Sequence, residues 1–318
     1  MRNCMYVFIS TFVVLQSVYS QQPCREFEKA TEHLREVIIG QCTLYQQNVN
    51  QPVFCEEGFR NCTEIWEAFS EAFMFQPRCN VDDKRLDKYF NLTDHSIPRD
   101  KSLFWENVYP FVLRYSNRGL KYYAVSDTLP GYIANGPQWC SDPQEPTGMS
   151  PAGTLCPGWE ATPDCPQGAQ RAFWIAASKN FGRRAGGEIF ILLNATVSPM
   201  FANDTYNALY ELPNLRENVV TKATVLLLNE HPVEGQTKCD DSTLSIISTK
   251  VRAKRIKYAC IENRRDVVET FCLDNPKSEV CKILDNTTSS SSTVTASSSA
   301  TILSVFLLIS LIILDIDS

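Results

Sequence analysis

The chain has 318 residues, of which 44% are hydrophobic and 21% are charged, and its formal net charge is -6. A negative net charge argues against nucleic acid as a partner, because binding to the phosphate backbone needs clustered Lys and Arg side chains. The length is sufficient for one large domain or two small ones with a proper hydrophobic core.

The first twenty residues have the order of a secretory signal peptide. Arg2 precedes an apolar stretch over residues 5–15, and Val18 and Ser20 are small residues that suit signal peptidase. We therefore expect residues 1–20 to be removed, so that the mature protein begins near Gln21 and is exported. A retained membrane anchor would need roughly 20 apolar residues, and this stretch is shorter.

Residues 24–78 have the periodicity of amphipathic helices, with apolar residues at steps of three and four and charged residues between them. This pattern predicts a helical bundle. Residues 141–166 are rich in Pro, Gly and Cys and show no periodicity. They are predicted to form an irregular loop held by Cys140, Cys156 and Cys165.

The second half of the chain contains three short apolar runs, at residues 188–194, 223–229 and 256–260. These runs are too short for helices and are nearly unbroken by polar residues, which is typical of buried parallel strands. Helical segments at 169–183 and 242–254 alternate with them. We therefore predict an α/β second half and an α+β (α/β) protein as a whole.

The C-terminal residues have the order of a signal for a GPI lipid anchor. Residues 285–300 are a spacer rich in Ser and Thr, and residues 301–318 form a largely apolar tail that such a signal loses. We expect attachment between Ser289 and Ser292, on the extracellular face of the plasma membrane or in the lumen of secretory vesicles. A short transmembrane tail is the alternative, but the apolar run is below the length that crosses a bilayer.

Thirteen cysteines are present, and Cys4 leaves with the signal peptide. The even number that remains in an exported chain predicts six disulfides. A zinc site is the alternative, but no Cys-x-x-Cys pair occurs and the three histidines stand far apart, so we expect no metal. Sequons for N-glycosylation fit the same compartment. They begin at Asn61, Asn91, Asn194, Asn203 and Asn286.

No glycine-rich phosphate fingerprint, Walker loop or Gly-x-Ser-x-Gly elbow is present in the sequence. Several local strings carry more information. Residues 127–135 read Asp-Thr-Leu-Pro-Gly-Tyr-Ile-Ala-Asn, with Trp-Cys at 139–140, and Leu-Phe-Trp (103–105), Ala-Phe-Trp (172–174) and Tyr-Glu-Leu-Pro-Asn-Leu (210–215) accompany them. In this order and spacing, across residues 42–281, the strings resemble those of the ADP-ribosyl cyclase family, which cleaves the nicotinamide–ribose bond of NAD.

The resemblance implies roles for individual residues. Glu211 matches the catalytic glutamate, and Trp105 and Trp174 match two tryptophans that line the pocket. A carboxylate at the ribose hydroxyls stabilises the oxocarbenium-like charge that remains when neutral nicotinamide leaves. Indole faces exclude water and stack on the cationic nicotinamide ring. Ser178 matches a serine that contacts phosphate.

Three positions depart from the family's pattern. Ser126 stands where many members carry a glutamate that meets the nicotinamide amide. Glu106 and Asn107 follow Trp105 where the best-known mammalian hydrolase has a phosphate-contacting Ser-Arg pair. These departures bear on the affinity for pyrophosphate and on the product ratio.

Two further residues bear on the fate of the ribosyl intermediate. Tyr206 matches an aromatic residue of the molluscan cyclase, and Asn135 also matches that cyclase. Both favour a packed, uncharged wall, and we expect cyclic product to exceed ADP-ribose. The three histidines match no catalytic position and are expected at the surface or in capping roles. They are His33, His95 and His231.

The family fold has a helical part and a four-stranded parallel α/β part, with the active site in the cleft between them. By resemblance, within a domain of residues 21–284, the helical part comprises residues 24–98 and 125–173, and the α/β part comprises residues 99–124 and 174–284. The family also implies a disulfide pairing, with the two remaining cysteines joined to each other. The pairs are Cys42–Cys62, Cys79–Cys165, Cys140–Cys156, Cys239–Cys260, Cys272–Cys281 and Cys24–Cys55.

The resemblance implies an ectoenzyme that converts NAD to cyclic ADP-ribose, ADP-ribose and nicotinamide. With NADP and nicotinic acid it implies base exchange. NAD and NADP are then substrates and no cofactor is needed, and a homodimer is compatible with the family. An inactive surface receptor or adhesion protein on the same scaffold is the alternative, and it is disfavoured because Glu211, Trp105 and Trp174 are all present.

Overall fold

The fold is built on a four-stranded parallel sheet. The computed structural model describes residues 29–284 of the chain. Neighbouring strands in the sheet are consecutive in the sequence, so each pair is joined by a crossover connection. The strands are β1 (Leu103–Glu106), β2 (Gly187–Asn194), β3 (Val220–Leu228) and β4 (Lys257–Glu262). The predicted fold class and the three predicted strand regions are confirmed, and the four-residue strand β1 is too short for a periodicity to reveal it.

Helices pack on both faces of this sheet. The α-helices of the described residues are α1 (Leu34–Leu44), α2 (Gln51–Glu57), α3 (Cys62–Phe73), α4 (Asp87–Leu92), α5 (Phe111–Ser116), α6 (Leu129–Ala134), α7 (Ala169–Arg184), α8 (Ser245–Ala253) and α9 (Arg265–Cys272). Two π-helices occur as well, at Tyr45–Val49 and Asn207–Glu211. No helix or strand interrupts the predicted irregular loop at 141–166.

Side-chain alternation along β2 divides the hydrophobic core in two. Ile189, Ile191 and Leu193 join the larger cluster, which also contains the aromatic residues of the helical part. Phe190 and Leu192 point to the opposite face, where they pack with α5 and α9. We call these clusters the inner core and the outer core. Because both faces are covered, the strands are apolar almost throughout, as parallel sheets require.

Helix α7 connects the two halves of the molecule. It contacts the π-helix Asn207–Glu211 on one side and the short 3-10 helix Val125–Asp127 on the other. The predicted boundary between residues 173 and 174 falls inside this continuous helix. The two halves therefore share a structural element at the place where the cleft was predicted.

Within residues 29–284 there are five disulfides, and they are the five pairs that the family resemblance implies. The bridge from Cys79 to Cys165 spans 86 residues and joins the segment between α3 and α4 to the end of the irregular loop. Cys55 is exposed and forms no disulfide with another cysteine of residues 29–284. Its expected partner, Cys24, lies outside the described residues.

Several other predictions also concern residues outside 29–284. These are the signal peptide, the anchor signal with Ser289 to Ser292, and the sequon at Asn286. Asn61, Asn91 and Asn203 are exposed, and Asn194 is half-buried at the end of β2. Across residues 29–284, every helix is too short or too polar to span a membrane.

The sixth bridge can be tested by comparing three variants, Cys24→Ser, Cys55→Ser and the double replacement. If the two cysteines pair, each variant breaks the same bond, so all three should lose the same stability, about 2–4 kcal/mol. The free energy of unfolding from urea titration measures this. Additive losses, or a thiol reagent that labels Cys55 in the native parent, would contradict the pairing.

Candidate active site

Glu211 is the last residue of the π-helix Asn207–Glu211 and is only 6% exposed. Its carboxylate Oε1 accepts a hydrogen bond from the Ser178 hydroxyl at 3.2 Å. The π-helix lies directly against α7 at Gly182, where an added Cβ would come within 2.5 Å of the Glu211 carbonyl oxygen. A side chain at position 182 would therefore push the π-helix away and displace Glu211.

Burial controls the charge of this glutamate. Removal from water disfavours the ionised form and raises the pKa of Glu211 from an ordinary value of 4.5 to about 8, although the Ser178 hydroxyl opposes the rise. The negative charge of Glu106 raises it further. A carboxyl group with a strongly raised pKa beside a hydroxyl donor is a common arrangement at catalytic sites.

Glu106 brings a second carboxyl group to the same region. Its pKa is raised to about 7, first by burial and then by the charge of Asp204, while a hydrogen bond with Thr205 lowers it. Glu106 follows Phe104 by two residues on β1, and Phe104 contacts Phe181 of α7 with ring centroids 4.9 Å apart. The alternation of the strand therefore places Glu106 on the face that α7 and the π-helix cover.

From the sequence alone, Glu106 is only a departure from the family's pattern, with no role in catalysis. The signal that could have revealed it is the two-residue alternation of a strand. If Phe104 is buried under a helix, the second residue after it lies on the same face.

Trp174 and Ser178 lie one turn apart on α7, so they occupy the same stripe of the helix. The Trp174 ring is half-buried and stands perpendicular to Phe173, with centroids 5.2 Å apart. Since Ser178 is hydrogen-bonded to Glu211, the structure brings Trp174, Ser178 and Glu211 into one neighbourhood.

Trp105 is placed differently. It lies at the end of β1 with its ring half-buried against the outer core, and it packs on Tyr109 with centroids 6.0 Å apart. Along the pleat it faces away from Phe104 and Glu106. Trp105 is thus at the carboxyl end of the sheet, where ligands of parallel α/β folds bind, but on the opposite face of its strand from Glu106.

Tyr206 directly precedes the π-helix that ends at Glu211. Its hydroxyl donates to the Trp159 carbonyl oxygen at 2.9 Å and accepts from Arg171 at 3.4 Å. The rings of Tyr206 and Tyr210 are 5.5 Å apart. Burial raises the pKa of Tyr206 to about 12, so the hydroxyl stays neutral at physiological pH.

The segment at 127–135 begins with the 3-10 helix Val125–Asp127 and continues into α6. Ser126 is 8% exposed, and its hydroxyl has no hydrogen-bond partner within residues 29–284. Gly131 packs so closely under this turn that an added Cβ would lie 2.0 Å from the Val125 carbonyl oxygen, which explains a glycine at this position. Asn135 is exposed at the C-terminal end of α6.

The three histidines lie outside this cluster, and both roles expected for them occur. His33 and His231 are exposed. His95 is only 4% exposed and has the capping role, since its ring accepts the backbone N–H of Leu129, the first residue of α6. Over residues 29–284, no group of His, Cys, Asp and Glu is arranged to hold a metal ion.

Comparison with known proteins places these residues in a family. The family profile described as ADP-ribosyl cyclase matches residues 31–281. The chain is 31% identical over 255 residues to the ADP-ribosyl cyclase/cyclic ADP-ribose hydrolase of Aplysia californica, covering 80% of this chain and 88% of that protein. It is 29% identical over 257 residues to human ADP-ribosyl cyclase/cyclic ADP-ribose hydrolase 2, covering 80% and 77%.

Solved structures give the same result. The crystal structure of Aplysia cyclase with substrate NGD and product cGDPR superposes with a TM-score of 0.68 at 30% identity, covering 79% of this chain and 97% of that one. Porcine CD38 with a covalent intermediate superposes with a TM-score of 0.65 at 26% identity, covering 76% and 100%.

The raised pKa of Glu211 has a consequence for stability that Glu211→Gln isolates. The unfolded chain loses this proton near pH 4.5 and the folded chain near pH 8, so the parent loses stability as pH rises through that interval. The variant lacks this loss. The melting temperature of the variant minus that of the parent should therefore increase from pH 4.5 to about 8 and remain constant above pH 8.

Differential scanning fluorimetry across this pH range makes the measurement. Glu217→Gln is a matched control, because Glu217 is exposed. A constant difference between Glu211→Gln and the parent at all pH values would show that the folded protein does not hold Glu211 in its protonated form.

Proposed function

Because the chain belongs to the ADP-ribosyl cyclase family, we propose that it is an enzyme that breaks the nicotinamide–ribose bond of NAD at Glu211. The observation that carries this proposal is the buried Glu211 carboxyl, bonded to Ser178 on the same stripe of α7 as the half-buried ring of Trp174. This combination offers a buried carboxyl group, which ionises more readily when a cation is close to it, beside an aromatic face. Both are suited to a substrate with a cationic ring and a cationic transition state.

The reaction needs little proton transfer in its first step. The bond from the ribose carbon to the ring nitrogen breaks, and its electron pair goes to nicotinamide, which leaves as a neutral molecule. The ribose carries the developing positive charge. Ionised Glu211 stabilises this charge, and low water content around the carboxyl strengthens the interaction.

Capture of the ribosyl group determines the product. Attack by water gives ADP-ribose and releases a proton. Attack by an adenine nitrogen of the same molecule gives cyclic ADP-ribose, and this requires a folded substrate held away from water. Tyr206, whose hydroxyl is fixed by Trp159, is a rigid aromatic wall suited to hold that folded form.

The finer parts of the proposal extend this activity. We propose that the protein also catalyses base exchange on NADP with nicotinic acid. We further propose that it is exported and held on the outer surface of the membrane by a lipid anchor attached between Ser289 and Ser292. Five disulfides within residues 29–284 and exposed sequons at Asn61, Asn91 and Asn203 support an oxidising, extracellular setting. We also propose that NAD and NADP act as substrates without a further cofactor.

Replacement of Glu211 by Gln tests the central assignment. The variant keeps the size of the side chain but loses the charge that stabilises the ribosyl cation, so turnover of NAD should fall roughly 100- to 1000-fold. Nicotinamide release by the purified ectodomain measures this, with the exposed Glu217→Gln as control. Near-parental release by Glu211→Gln would exclude Glu211 as the catalytic group, and no release by the parent would favour an inactive receptor.

The product ratio tests the role of Tyr206. We expect cyclic ADP-ribose to exceed ADP-ribose in early samples from the parent, and Tyr206→Thr to shift the product toward ADP-ribose because water gains access. Tyr206→Phe keeps the ring and should keep the ratio. Chromatography of early products with NAD measures both. Mostly ADP-ribose from the parent, or the same ratio in Tyr206→Thr, would show that this wall does not decide the outcome.

A further inference from the structure

His95 is a buried histidine with two defined hydrogen bonds. Its Nε2 atom lies 3.0 Å from the backbone nitrogen of Leu129, and its Nδ1 atom lies 2.9 Å from the Ser96 carbonyl oxygen. The ring is packed among aromatic side chains, with centroids 5.6 Å from Phe54 and 5.9 Å from Tyr45. The imidazole therefore has little freedom to turn.

These two contacts determine the tautomer. A backbone N–H can only donate, so Nε2 must carry a lone pair and accept from Leu129. A carbonyl oxygen can only accept, so Nδ1 must carry the proton and donate to Ser96. Both bonds exist together only in the neutral imidazole, because a protonated ring has no lone pair at Nε2.

Leu129 is the first residue of α6, directly after the turn that carries Ser126. The same segment is held by the Tyr45 hydroxyl, which donates to the Asp127 carbonyl oxygen at 2.6 Å, and by Thr128, whose hydroxyl donates to the Val125 carbonyl oxygen at 2.7 Å. This turn also contacts α7, which carries Trp174 and Ser178. The Asp127 carboxylate adds a fourth contact, since its Oδ2 accepts the Ala124 N–H at 2.9 Å. At the start of α6 itself, the bond from Leu129 to His95 is the one that protonation of a histidine removes.

We propose that His95 is a positioning residue, whose neutral ring holds the start of α6 and thereby the Ser126 turn against α7, and whose protonation releases this turn and weakens substrate turnover. The proposal rests on the proposed function, since it is the family resemblance that implies a position for Ser126 beside the nicotinamide. At acidic pH, as in a secretory vesicle, the substrate site is then less well formed.

The surroundings of His95 favour the neutral form that the proposal requires. Burial lowers the pKa of His95, while the Ser96 carbonyl and the charges of Glu57 and Asp94 oppose this shift and Arg184 adds to it. Other groups near this region also carry charge or titrate. They are Arg60, which donates to the Asp94 carbonyl oxygen, Asp127, whose pKa burial raises to about 6, and the hydroxyls of Tyr45 and Tyr123.

Because several groups titrate in the same range, the test uses a ratio between proteins. In His95→Gln the side-chain oxygen can accept from Leu129 at every pH, and the other titrating groups are shared with the parent. The quantity compared is kcat/KM for nicotinamide release by His95→Gln, divided by kcat/KM of the parent. We expect this ratio to be at least about threefold higher near pH 5.5 than near pH 7.5. His231→Gln, at an exposed histidine, should give the same ratio at both pH values.

A second measurement does not depend on activity. Hydrogen–deuterium exchange of a peptide covering residues 125–135, corrected for the intrinsic pH dependence of exchange, should show faster opening near pH 5.5 than near pH 7.5 in the parent. In His95→Gln this difference should shrink to the part that the shared groups, Asp127 among them, contribute. In His95→Leu, which has no acceptor, fast opening is expected at both pH values.

The outcomes separate the two proposals. A parent without nicotinamide release would overturn the proposed function, and the exchange measurement would still decide whether His95 holds α6. Equal exchange of residues 125–135 in the parent at both pH values, or a ratio for His95→Gln that does not change with pH, would overturn the role of His95. A His95→Leu protein that fails to fold leaves the decision to His95→Gln.

Discussion

The structure of the site depends on the burial of one carboxyl group. Glu211 lies in a π-helix that packs against α7, and its burial raises its pKa to about 8. This arrangement lowers the stability of the folded protein, because an unpaired carboxylate away from water is costly. The polar contact in the described residues that offsets this cost is the Ser178 hydroxyl, and α7 must therefore be placed within hydrogen-bond reach of Glu211.

This requirement explains why α7 is a single helix across the two halves. It contacts the Val125–Asp127 turn on the helical side and the Asn207–Glu211 π-helix on the sheet side. Gly182 lets the two backbones approach, and Phe181 packs on Phe104 of β1. The spacing between the cleft walls is thus set by one rigid element and not by a loop between separate domains.

Much of this could be predicted from the sequence, for physical reasons that differ between residues. The strands β2 and β3 were recognisable because buried parallel strands are apolar at every position, whereas β1 has only four residues. Glu211 and Ser178 followed from the family resemblance, because their spacing in the chain reveals no contact. Glu106 and the burial of His95 were missed, since both depend on which neighbours cover them. A lone histidine between polar residues gives no periodic signal.

The pair of carboxyls also gives the site a property that neither residue has alone. Glu106 raises the pKa of Glu211, so the apo protein tends to keep at least one of them protonated near neutral pH. On the proposed function, the substrate brings a fixed positive charge to this region. That charge favours both ionised forms, so substrate binding and proton release are linked, and the linkage is reciprocal. The catalytic charge on Glu211 is therefore generated most fully when the cationic ring is in place, which keeps a costly buried charge out of the empty site.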